Sequence, residues 1–245
     1  MNSGIYTAYS GLKAQSDALD IVANNLANLN TTGFKEDKAF YTYINQSIAA
    51  TQNVPDLNTA INQTVQTRSV LNADDGSLTE TSRELDVAIA GNGFLVVETP
   101  RGIRYTRDGK LDMNAKSVLT TSDGNPLLGV TDRPITLGQG KINISEDGNV
   151  YLDGEIVDRL KVASFDDLTA LEKEGNALFI SKKGREAEKA SDAKIKSGFL
   201  EQSNVNPVAS MVRMIEIMRH FEAIQKSISL IMNDINSKAI ERLGR

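Results

Sequence analysis

Cysteine and tryptophan are absent from the 245 residues, and histidine occurs once, at His220. Without thiols there is neither a disulfide framework nor a thiolate metal site. The absence of thiols also suits an oxidising space, where no wrong bridge can form. A single imidazole excludes a histidine-based triad and a multi-histidine metal centre, so a packing or solvated role is expected for His220. Long apolar runs are missing too: nothing approaches the roughly 18 consecutive apolar residues that a membrane span requires. Met1 to Gln15 lack a basic segment followed by an apolar one and a small-residue cleavage site, so any export is expected to proceed without a cleavable signal peptide. Charge of one sign is not concentrated anywhere. The 27 Lys and Arg against 32 Asp and Glu leave a formal net charge of -5, and their scatter argues against nucleic acid or an anionic membrane as the main partner.

Motifs that would carry chemistry are equally scarce. Gly91-Asn92-Gly93 contains Gly-x-Gly, but Val96 stands where a third glycine would be needed and an apolar strand follows, so a turn between strands is expected there, not a phosphate loop. The acidic pairs Asp74-Asp75 and Asp166-Asp167 read as caps or solvated charges. No catalytic residue, cofactor, metal or small-molecule substrate is expected, and the chain is not expected to be an enzyme.

What is present is a periodic seam at each end. In the first segment Ile5, Leu12, Leu19 and Leu26 fall at one heptad position and Ala8, Gln15, Val22 and Leu29 at the other, which predicts an amphipathic helix from Ser3 to about Leu29. Asn206 and Pro207 supply an N-cap and a first helical residue for a second, longer helix. Its apolar positions are Met211, Met214, Met218, Phe221, Ile228, Met232, Ile235 and Ala239, with Ile217, Ile224 and Ile231 widening the stripe and Gln225 interrupting it. At 1.5 Å per residue, roughly 35 residues would reach on the order of 50 Å, more than a small domain can cover. The simplest closure pairs the two helices as a coiled coil, either as an intramolecular hairpin or within a multimer. The interruptions at Gln15 and Gln225 favour contacts among more than two helices. The candidate subunit-interface residues are therefore Ile5, Leu12, Leu19, Val22, Leu26, Leu29, Met211, Met214, Met218, Phe221, Ile228, Met232 and Ile235.

Between the ends the pattern changes to period two. Leu85 to Ile89, Phe94 to Val97, Ile103 to Thr106, Ile142 to Ser145 and Glu155 to Phe165 read as short strands. Turns are predicted at Asp108-Gly109, Asp123-Gly124, Asp147-Gly148 and Asp153-Gly154, and a short helix near Asp166 to Glu174. The fold class expected is mainly β with long terminal helices: an antiparallel barrel-like or sandwich-like domain inserted between helices that pair as a coiled coil. The divisions are 1–35 (first helix), 36–75 (a polar, poorly defined linker expected to order on assembly), 76–200 (β-rich outer domain) and 201–245 (second helix).

Three stretches are more specific. Ile21-Val-Ala-Asn-Asn-Leu-Ala-Asn-Leu-Asn-Thr-Thr-Gly-Phe-Lys35 closely resembles the N-terminal signature of the flagellar rod and hook proteins. Gly76 to Phe94 with Tyr105-Thr-Arg-Asp-Gly109, and Gly198-Phe-Leu-Glu-Gln-Ser-Asn-Val-Asn206, resemble two further blocks of that family. The resemblance implies a structural subunit whose terminal helices form the inner tube of an axial structure, with the β domain outside. It implies export through the flagellar type III apparatus, assembly with itself and other rod proteins, and a place in the periplasmic rod of the basal body. The length leaves no room for the extra outer domains of hook protein. Asn204-Val-Asn-Pro-Val208 resembles the proximal rod type, while Ile21 to Lys35 look as much like the distal type. A reading from another class is a secreted β-domain binding module on a helical stalk.

Overall fold

A computed structural model describes residues 2–47, 61–165, 168, 171–175, 177–182, 188–189 and 193–243. Two helices bracket it: α1 (Asn2–Ala27) and α2 (Pro207–Leu243, 37 residues). Pro207 opens α2 where its missing N–H costs nothing. The chain divides into two compact units. The first comprises residues 1–26, 37–70 and 207–245, and the second 27–36 and 71–206.

The first unit holds both helices and a two-stranded sheet of β1 (Asp37–Ser47) and β2 (Ile61–Leu71). These strands correct the expectation of a linker over 36–75. β1 places Ala39, Phe40 and Tyr41 in one consecutive run and Tyr43 and Ile44 in another, and β2 spaces Ile61, Val65, Val70 and Leu71 unevenly among polar residues, so no period-two hydrophobic signal announces them. Residues 48–60 lie outside the described set. The shared core is small: Ala18 and Val22 of α1 meet Ile217 of α2, flanked by Leu19, Met214 and Ala39 of β1. The described contacts between the helices are this cluster and the approach of Gly11 to Ile224; they do not establish a coiled coil along the helices. Sheet and helices form a local cluster in which a β1 residue takes part.

The second unit is β throughout its named elements. A six-stranded sheet runs in the order Leu171–Glu174, Leu178–Ser181, Gly102–Thr106, Phe94–Thr99, Val162–Ser164, Glu188–Lys189. A three-stranded sheet (Glu155–Arg159, Asn149–Leu152, Ile142–Ile144) and two-stranded pairs surround it. Among the described residues every strand pairing in this unit is antiparallel, for example Leu95 opposite Thr106 and Ile195 opposite Ile89. The sheets stay open and do not close into the barrel the turn spacing suggested. A core of Val87, Ile89, Leu95, Val97, Leu111, Leu119, Leu127, Ile135, Leu137 and their neighbours fills the space between them. A second cluster is aromatic: Phe94 meets Phe179 edge-on at 5.4 Å between centroids and Phe165 at 6.1 Å.

Three further expectations are corrected. Leu171–Glu174 is a strand, not the end of a short helix, and Asp166 and Asp167 lie outside the described residues. Glu155 to Phe165 splits into Glu155–Arg159 and Val162–Ser164. Asp108-Gly109 is not a hairpin turn; a Cβ on Gly109 would stand 1.6 Å from the Val87 carbonyl oxygen, so the glycine permits close backbone approach.

Candidate interface and a buried ionic knot

In the first unit the candidate interface residues separate by face. Ser210, Met214, Ile217, Phe221, Ile224 and Ile228 follow each other at steps of three and four on α2 and are buried or half-buried. Ile217 is the most enclosed of the apolar members, at 5% exposure. Met211, Met218 and Met232 are exposed. Ile217 and Ile224, expected as flanking residues, therefore sit at the centre of the buried stripe, because α2 carries apolar residues on more than one face. On α1, Val22 is buried and Leu12, Leu19 and Leu26 are half-buried; Leu29, just past the helix, is half-buried in the second unit. The side chains of Ile5 and Ile235 lie outside the described residues. His220 is exposed.

The asparagines of the signature have defined work. Asn25 is buried at 2% exposure. Its Nδ2 donates to the Asp37 carbonyl at 2.8 Å and its Oδ1 accepts the Asp37 N–H at 3.0 Å, so one amide closes the loop from helix to strand. A two-point bond of this kind satisfies two backbone groups that burial would otherwise leave costly. Nearby, Thr67 Oγ1 donates to the Ala14 carbonyl at 2.8 Å, tying β2 to α1.

In the second unit the stretches that carry the family resemblance meet at one place. Lys35, 1% exposed, donates from Nζ to Glu201 Oε1 at 2.6 Å and to the Asp74 carbonyl at 2.9 Å. Arg107, 3% exposed, donates from Nη1 to Glu201 Oε2 and to the Ile89 carbonyl, both at 3.2 Å, and from Nη2 to the Gly91 carbonyl at 2.7 Å. Glu201 Oε1 also accepts the Gly76 N–H at 2.9 Å. Asp75 stands 3.8 Å from Lys35 and 3.5 Å from Arg107 but is 57% exposed. Burial pushes the Lys35 ammonium below its ordinary pKa, against the opposing pull of Glu201.

Around this knot the backbone is fitted closely. Gly33 has φ of 67°, and a Cβ there would lie 2.3 Å from the Arg107 carbonyl carbon, so the position needs glycine on both counts. Phe34 is fully buried, with Lys173 Nζ 3.7 Å from its ring centroid. Asn204 accepts the Glu36 N–H at 2.7 Å and donates to the Asn72 and Asp74 carbonyls at 3.1 and 2.8 Å. Asp108 accepts from Thr32 Oγ1 at 2.5 Å and Ser122 Oγ at 3.2 Å, and burial raises its carboxyl pKa above the ordinary value. Such an arrangement can fix backbone segments; among the described residues no His, Cys, Asp and Glu cluster could hold a metal ion.

The signature residues thus build connections between backbone segments, which is the work of a structural chain. Family models bear this out. "Flagella basal body rod protein" matches residues 5–35, "Flagellar hook protein FlgE/F/G D1 domain" 88–152 and "Flagellar basal body rod FlgEFG protein C-terminal" 196–231. The flagellar basal-body rod protein FlgF of Caulobacter vibrioides is 33% identical over 247 residues, covering 100% of this chain and 99% of the relative. FlgF of Mesorhizobium japonicum is 31% identical with the same coverage, and FlgG of Buchnera aphidicola 30% identical over 94% of this chain and 95% of the relative. The chain belongs to the flagellar basal-body rod protein family, and its function is that of a rod structural protein.

Proposed function

We propose that the first unit is the assembly element of a proximal, FlgF-type rod subunit, with the distal FlgG type as the alternative, and that the chain has no enzymatic role. The carrying observation is an imbalance of burial. Among the described residues, 26 of the 30 buried hydrophobic residues lie in the second unit and 4 in the first, whereas 12 of the 18 exposed large hydrophobic residues lie in the first. Among the described residues the second unit has a sufficient core of its own and the first does not. A helical unit with so little buried surface gains its stability from neighbours.

Val208, Met211, Val212, Ile215 and Met218, 46–69% exposed, form an apolar stripe. At 100° per residue it lies on the side of α2 roughly opposite the buried stripe. Five such side chains offer on the order of 400 Å² of apolar surface, about 10 kcal/mol at 25 cal/mol per Å² before the cost of ordering. Burial of these faces among several copies drives rod formation. Export through the type III apparatus with the ends unfolded, followed by folding on addition to the rod in the periplasm, fits a unit that is incomplete alone.

Quantitative mass spectrometry of purified hook–basal bodies, combined with an in-frame deletion, tests this. A few copies per particle, with assembly stopping before the distal rod, is the expected result. A larger stack would assign the distal type. Absence from the particle with swimming intact would defeat the rod reading and favour a secreted binding module.

A further inference from the structure

Beside the ionic knot the second unit has a cavity of about 80 Å³ lined by Lys35, Ala73, Asn92, Phe94, Arg107 and Phe165, with Gly93 and Leu168 completing the wall. Two cations line it, and both are nine-tenths or more buried: Lys35 at 1% and Arg107 at 3%. The carboxylate buried with them is Glu201, 2% exposed, while Asp75 is 57% exposed and largely screened by water. Among the described residues the buried groups thus carry an excess of one positive charge. Arg107 shows the same shortage in its hydrogen bonds. Its Nη1 and Nη2 are used on Glu201, Ile89 and Gly91, but its Nε is buried and has no acceptor among the described residues. Stacking on Phe94, with the guanidinium carbon 5.2 Å from the ring centroid, holds the group in place without satisfying Nε.

A group that matches this site brings one acceptor oxygen, one negative charge and a short apolar stem to lie against Phe94 and Phe165. An amide would supply the oxygen without the charge and so would leave the excess positive charge uncompensated. We propose that this pocket is a receptor for the carboxylate of an aspartate or glutamate side chain from a neighbouring axial subunit, entering past Asn92. Asn92 is exposed, in the turn between Val87–Ala90 and Phe94–Thr99, where a neighbour has access. The chain itself carries 32 acidic residues, so a second copy can supply the side chain. The occupant rests on the rod reading above; the pocket's preference for a carboxylate does not.

The test has two arms. Full-length protein labelled with ¹⁵N at arginine Nε is titrated with acetate, with acetamide as the neutral counterpart and chloride to match ionic strength. Acetate should shift the Arg107 Nε–H resonance saturably while acetamide and chloride do not. Ala73→Leu, which fills the cavity from its wall and leaves the ion pairs in place, should abolish that shift with the backbone amide spectrum otherwise retained. No saturable shift, or the same shift with acetamide, overturns the carboxylate site. In assembled rods, a photo-crosslinking residue at Asn92 should form a covalent adduct with an acidic segment of another rod subunit. Intact rods that contain the chain and give no adduct overturn the neighbouring subunit as the source. Absence of the chain from the particle would instead defeat the rod reading, and the acetate titration would still report on the pocket.

Discussion

Replacing Glu201 with Gln should be the most damaging single polar change in the second unit. Glu201 bonds Lys35 at 2.6 Å, Arg107 at 3.2 Å and the Gly76 N–H at 2.9 Å, all from a side chain 2% exposed. Glutamine keeps the shape but removes the charge, and its amide nitrogen would confront one of two cationic donors. Breaking a buried ion pair by removing one partner costs about 3–5 kcal/mol, because the remaining charge is left uncompensated. At about 2–4 °C per kcal/mol for a unit of this size, the calorimetric transition of the β unit should fall by roughly 6–20 °C. Lys35→Met is the informative comparison. It deletes a cation that burial already disfavours and leaves Glu201 paired with Arg107, so its shift should be less than half as large. A Glu201→Gln transition within a degree or two of the parent, or a larger loss for Lys35→Met, would refute the assignment of Glu201 as the centre of the knot.

Gly33→Ala should lower stability by about 3 kcal/mol or more in a urea titration, since positive φ alone costs about 1–3 kcal/mol and the added methyl also meets the Arg107 backbone. Gly11→Ala should raise the helical unit's stability by roughly 1 kcal/mol, read from helix signal during denaturation, because the new Cβ would sit 3.9 Å from Ile224 Cδ1 in ordinary contact. Asp108→Asn tests the raised carboxyl pKa. An acid whose folded pKa lies above 3.8 loses stability as pH rises from that value through the folded pKa, so the variant should gain on the parent between pH values either side of that window. A parent that gains on the variant instead would reverse the sign. Met211→Asp, at a position 51% exposed, should change the isolated chain's stability by no more than about 0.5 kcal/mol yet abolish swimming; Ile217→Ala, at 5% exposure, should cost about 2–5 kcal/mol in the chain itself.

The terminal helices were legible in the sequence because their apolar residues recur at three and four, and Pro207 marks a start to the residue. The phase of α2 was not. With apolar residues at 208, 211, 212, 214, 215, 217 and 218 the helix supports two stripes, and spacing alone does not say which faces its own chain. Phe94–Thr99 was visible as an apolar run and Gly102–Thr106 by the alternation of Ile103 and Tyr105 with polar residues, whereas β1 groups its apolar residues consecutively, β2 spaces its own unevenly, and neither emits an alternation. The ionic knot was invisible for a different reason. Its partners are 166 and 94 residues apart, and ion pairing leaves no periodic trace. The signal that existed was the placement of Lys35, Arg107 and Glu201, each inside a stretch matching the family signature.

Gly76 and Glu201 are joined by a hydrogen bond, and Gln202 donates its N–H to the Ser77 carbonyl at 2.9 Å. Residues 77 and 201 therefore begin and close the long β excursion side by side. A segment whose two ends already touch is interchangeable as a cassette. Enlarging or exchanging the part of it beyond Ile89, Gly91, Arg107 and Asp108, whose contacts with Thr32, Gly33 and Glu201 belong to the knot, leaves the same pair of ends to be joined to the same flanking chain. Proteins built on this plan can vary the bulk carried between those ends while the residues beside Gly76 and Glu201 stay as they are. A chimera that keeps residues 87–109 and exchanges the β structure beyond them is the direct way to use that freedom.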